Sequence, residues 1–166
     1  ENNDSSNKFD FFELDNLNSK NDFIKARAES DSAALKKKFS NNLIYNENLP
    51  SNSSCKSLYS IAERIRYEAL GGKMLKGIKK NLNENYSQII NLKRKDQLKS
   101  KDDVPVSEAF ELYMLKNFHN LSLSTLAKQI LSFWEKDFDK SIKEHIGSLK
   151  DNFEDQNKYG SQFSRK

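Results

Sequence analysis

From Leu58 to Leu82 apolar residues recur at helical spacing, stop at a glycine pair, and then resume the same spacing. Leu58, Ile61, Ala62, Ile65 and Ala69 fall on one side of a helix, and Glu63, Arg66 and Glu68 fall away from it. Gly71-Gly72 is expected to close that helix, because glycine enters the left-handed conformation of a helix end without steric cost. A pattern of period 3.6 on both sides of a break must be buried by packing helix on helix; a strand, whose period is two, cannot bury it.

The same period organises the rest of the chain. A first helix is expected over Asp22 to Phe39, using Phe23, Ala26, Ala34, Leu35 and Phe39, followed by a loop from Ser40 to Ser54 around Pro50. Ser54 is expected to cap the second helix. The third helix, Lys73 to Ile90, sets Leu75, Ile78, Leu82, Tyr86 and Ile89 along one side. Gly77 within it implies a bend or a close approach by another element, since glycine there costs about 1 kcal/mol relative to alanine. Asn91 to Asp103 reads as a charged loop. Asp103 and Pro105 announce a fourth helix that ends at His119-Asn120, and Ser122 or Ser124 caps the next. Leu126, Ala127, Ile130, Leu131, Trp134 and Phe138 form the cleanest stripe, which Ile142, Ile146, Leu149 and Phe153 continue on a final helix. The expected fold is all-α: one compact domain of about six helices over residues 22–160, a flexible tail over 1–21, and a tail or linker start over 161–166. Phe9, Phe11, Phe12, Leu14 and Leu17 give the N-terminal tail the makings of a short sticky helix among Asn, Asp and Ser.

Charge and cysteine usage narrow the chemistry. Lys plus Arg number 28 against 24 Asp plus Glu, a net charge of only +4 with the signs interspersed, which does not argue for nucleic acid. Cys55 stands alone, so no internal disulfide forms, and no apolar run reaches the length of a membrane span or signal peptide. A cytoplasmic setting with no membrane partner is the default expectation. One Cys with His119 and His145 far apart offers too few ligands for zinc, and both histidines are expected at the surface or its boundary. Cys55 has no adjacent histidine and is expected as a small, partly buried residue at a helix start. Gly71-Gly72-Lys73 fails as a phosphate-binding loop, because the first glycine is missing at the required spacing and Met74 stands where a hydroxyl must meet magnesium. Glu63 with Glu68, and Asp102 with Asp103, are expected as solvated surface charge rather than catalytic pairs. In the loop holding Lys93, Arg94, Lys95, Lys99 and Lys101, Asp96, Asp102 and Asp103 interrupt the basic run and no aromatic residues interleave, so nucleic-acid binding is disfavoured. Trp134 is expected in the core.

Glu63, Arg66, Glu68, Ala69, Leu70 and Gly71, followed by Gly77, Ile78, Asn81 and Leu82, match in spacing an E-x-x-R-x-E-A-[IL]-G step and a G-[VI]-x-x-N-L step. In both, the segment resembles the amino-terminal region of the CobT subunit of aerobic, ATP-dependent cobaltochelatase. At Met74-Leu75 the chain departs, with Leu75 where the family carries Met. Upstream, Arg27 to Leu35 is similar to the family's R-G-x-A-D-x-x-A-L run. Downstream, the similarity continues through Val104 to Ala109, Leu131 to Trp134, Glu154-Asp155-Gln156 and Tyr159-Gly160.

The resemblance implies a non-catalytic subunit domain. An AAA+ ATPase subunit hydrolyses ATP, this chain couples that motion, and a large catalytic subunit inserts cobalt into a corrin ring. On that reading ATP, magnesium and cobalt belong to the complex and no cofactor to this chain; a homo-oligomer is one open arrangement. The family's von Willebrand A domain carries D-x-S-x-S, and the nearest stretch here, Asp139 to Lys143, lacks the second serine. With Glu1 rather than Met at its start, the chain is expected to be part of a longer protein or the product of a truncated gene. Glu63, Arg66, Glu68, Gly71, Gly77 and Asn81 are the candidate partner-interface or family-motif residues. Arg66 has two open roles, a bidentate pair across a partner surface or an internal brace. A stand-alone helical adaptor and a weak nucleic-acid-binding helical domain are the alternatives.

Overall fold

The computed structural model describes residues 19–91 and 98–164, and the regular elements among them are helical, with no strand. They are α1 (Lys20–Phe39), α2 (Asn42–Glu47), α3 (Ser53–Met74), α4 (Lys76–Asn91), α5 (Val106–Met114), α6 (Thr125–Ser132), α7 (Glu135–Ile142), α8 (Ile146–Asp151) and α9 (Gln156–Ser164). The all-α expectation holds, with more and shorter helices than the six expected. The sticky residues Phe9 to Leu17 and the basic run Lys93 to Lys95 lie outside the described residues.

The extra helices have local causes. Asn41 accepts from the Leu43 and Ile44 amides and starts α2 inside the expected loop. Asn52, not Ser54, caps α3, accepting from the amides of Ser54 (2.8 Å) and Cys55 (3.3 Å). Ser124 caps α6 through the Ala127 amide. The long C-terminal stripe breaks after α6, where the Trp134 indole N–H donates to the Val104 carbonyl at 3.0 Å and the ring stacks on Phe138. Trp134 is thus a partly buried residue packed against the core, not inside it. A 3-10 turn over Lys143–His145 breaks the stripe again before α8. After α5 the helix widens into a π-helical turn, Leu115–His119, which Asn120 closes in the left-handed conformation (φ 53°). Residues 161–164, expected as a tail, belong to α9, where Phe163 packs on Tyr59 and Tyr159.

Helix α3 is the hub. It packs against α1, α4, α5 and α9, and from Tyr59 to Gly71 nearly every side chain is buried, whichever way it points. The expected end at Gly71-Gly72 does not occur: α3 runs through both glycines to Met74, and no described glycine has positive φ. Gly71 serves close packing instead. A Cβ there would run into both Leu35 methyl groups, and Leu35 is itself buried. Gly71→Ala is therefore expected to destabilise the fold by about 1–3 kcal/mol through overpacking, although alanine is the better helix former. Urea unfolding of Gly71→Ala alone and with Leu35→Ala checks this; a stabilised single variant would rule out the close approach as the reason for glycine. In α4 the buried stripe is Leu82, Tyr86 and Ile90 with Ile78 partly covered, whereas Leu75 and Ile89 are exposed. Leu75 precedes α4 as the extended cap residue of α3, which turns it out of the stripe.

Candidate functional site

Because α3 is enclosed, its charged residues must find partners inside the chain. Glu63, Arg66 and Glu68 are 4%, 1% and 2% exposed. Arg66 and Glu63, one helical turn apart, form a bidentate pair, Nε to Oε2 and Nη2 to Oε1, both 2.8 Å. Two further guanidinium donors go to backbone: Nη1 to the Phe153 carbonyl (2.7 Å) and Nη2 to the Phe39 carbonyl at the end of α1 (2.6 Å). Ser40 Oγ and Gln156 Nε2 donate to Glu63 Oε1 at 2.7 and 3.0 Å, and Gln156 Oε1 accepts from the Asn41 amide. Tyr159 faces the Arg66 guanidinium and donates its hydroxyl to the Ala62 carbonyl. One arginine thus ties the end of α1, the centre of α3 and the entry to α9. Of the two roles open to Arg66, the folded chain uses the internal brace.

A second knot lies further along α3. Glu68 accepts from Ser32 of α1 (2.6 Å) and from Tyr86 of α4 (2.7 Å). Burial pushes its carboxyl pKa up, against those two hydrogen bonds. Asn81 of α4 donates to Asp31 of α1 at 2.8 Å. Asp31, Ser32 and Leu35, all within the run from Arg27, thus meet Asn81, Glu68 and Gly71 respectively. Segments distant in the sequence carry the resemblance, and the fold makes them packing partners.

His119, expected at the surface, is 5% exposed at the end of the π-helical turn, with Nε2 3.2 Å from the Ile65 carbonyl and its ring edge-on to Tyr86. Desolvation lowers its pKa to about 4, against the Ile65 hydrogen bond, with the Lys79 and Arg64 charges adding to the fall. Nε2 carries the proton toward Ile65, leaving Nδ1 as the lone-pair nitrogen. His119 and Asn120, with Glu68, Gly72, Lys73 and Lys79, line a cleft of about 180 Å³.

Other sequence candidates stay apart. Gly71-Gly72-Lys73 is helical, so its amides form no phosphate-cradling loop. Cys55 starts α3 but is exposed, not partly buried. Asp103 caps its own turn by accepting from the Lys99 and Ser100 amides, and Lys101 pairs with Asp137 while its ammonium lies 3.9 Å from the Trp134 ring centre. Among the described residues no group of three or more His, Cys, Asp or Glu gathers as a metal site, and no helix is long and apolar enough to cross a membrane. Among the described residues Gly77 meets no other element: a Cβ there would find nothing within 4 Å. Sequence reasoning missed Ser32, Ser40 and Tyr86 as carboxylate partners and Gln156 as the link to α9. The available signal was a helix with charge on several faces, which needs partners once it is central.

A family model described as "Cobalamin biosynthesis protein CobT" matches residues 3–165. No curated protein and no solved structure matches.

Proposed function

The chain belongs to the CobT family, and from that premise we propose that it is a non-catalytic subunit region of an ATP-dependent cobaltochelatase in cobalamin biosynthesis. In this role it couples an AAA+ ATPase subunit to the large subunit that inserts cobalt into the corrin ring. ATP and magnesium act on the ATPase subunit, and cobalt is the cargo of the complex. The observation that carries the reading is the family match over residues 3–165, nearly the whole chain. The packing supports it: a coupler has to pass force between partners without deforming, and a central helix tied by buried charge to α1, α4 and α9 suits that task.

Co-expression with the AAA+ subunit of the same organism, followed by size-exclusion chromatography with ATP or ADP, tests the coupling. Co-elution that depends on nucleotide is the expected result. Separate elution with both nucleotides would remove the ATPase coupling from this region.

A further inference from the structure

The corner where α3 hands over to α4 gathers charge of one sign. From Ala69 to Asn83 there is no acidic residue, while Lys73, Lys76, Lys79 and Lys80 are all exposed. None of the four makes an ion pair among the described residues; Lys73 only overhangs the Phe153 ring. Between them Met74 and Leu75, 56% and 57% exposed, stand out at the tip. Gly77 beside them lies in open space with an ordinary backbone angle, so nothing among the described residues requires a glycine there, although glycine weakens a helix. Its bareness leaves room for a close approach from outside. The cleft walled by Lys73 and Lys79 continues this surface inward.

We propose that the α3–α4 corner is a docking surface for an acidic protein segment, its carboxylates paired with these lysines and an aliphatic side chain seated on Met74 and Leu75. Charge complementarity chooses the sign of the partner. The cleft chooses a protein over a membrane, because a carboxylate side chain fills a concavity that a lipid surface spans. The exposed apolar residues are aliphatic, which suits a protein side chain and offers nucleic-acid bases no stacking face.

The test uses the whole chain and a fluorescein-labelled peptide of Asp and Glu around a central Leu, read by fluorescence anisotropy and by amide NMR shifts. Phosphatidylserine-containing vesicles and a thymidine oligonucleotide serve as competitors. Expected are shifts centred on residues 72–80, binding that weakens as salt rises, and a loss of at least about tenfold in the Lys76→Glu/Lys80→Glu variant with an unchanged melting curve. Gly77→Gln, whose side chain enters open space, is expected to fold normally and also bind more weakly. Undetectable peptide binding, binding equal in the charge-reversed variant, or tighter binding to vesicles or oligonucleotide would each overturn the proposal.

Discussion

Replacing Arg66 with alanine is expected to destabilise the folded chain by about 3–5 kcal/mol, the range for breaking a buried ion pair from one side. The cost comes less from the lost attraction than from what remains. Glu63, 4% exposed, would be left with only Ser40 and Gln156 donating to it, and the Phe39 and Phe153 carbonyls would lose their guanidinium donors. In a chain of this size that corresponds to a fall in melting temperature of about 10–15 °C. Arg66→Lys is expected to recover only part of the loss, since an ammonium cannot hold a carboxylate side-on while reaching two carbonyls. Removing both charges in Glu63→Leu/Arg66→Met is expected to cost less than Arg66→Ala alone. Chemical denaturation of the four proteins decides the matter. A change below about 1 kcal/mol for Arg66→Ala, as for an exposed pair, would contradict the buried brace.

The second large effect is on acid stability. His119 is held neutral in the fold, with its pKa lowered to about 4 by desolvation, whereas unfolded it titrates near the ordinary histidine value of 6.5. Between those values the unfolded chain binds a proton that the folded chain refuses, so stability rises with pH and is lost as pH falls from about 6.5 toward 4. The shift amounts to about 3 kcal/mol once the loss is complete, below the folded value. Glu68 works in the opposite direction: burial raises its folded pKa above 4.5, so the folded chain binds that proton more readily and acidification favours the fold there. His119→Gln, which keeps a donor for the Ile65 carbonyl, is expected to flatten the stability profile between pH 6.5 and 4. Glu68→Gln is expected to steepen it. A wild-type profile unchanged by His119→Gln would show that another group sets the acid sensitivity.

Much of the fold was legible because helical spacing is a local property. The stripes through Leu126, Ala127, Ile130 and Leu131, and through Leu82 and Tyr86, are buried as their spacing requires. Capping was legible in kind but not in register: Asn52 and Ser54 both offer a side-chain acceptor, and the backbone path out of the preceding loop selects Asn52. The glycine pair misled for a physical reason. Glycine suits a helix end and also a helix centre approached by another helix, and only the position of Leu35 distinguishes the two.

By itself, the sequence determined the class and the family: apolar residues at helical period with no alternation permit only packed helices, and matched spacing over separate segments points to one lineage. Only the tertiary structure decided what the charged motif is for. Glu63, Arg66 and Glu68 look like a solvated face while α3 is considered alone, because helix geometry says which residues share a side but not what lies against it. Gln156 comes to Glu63 from 93 positions away and the Phe153 carbonyl to Arg66 from 87. Contacts that distant turn a charged helix into the centre of the fold and leave the lysines around Met74 and Leu75 to face solvent.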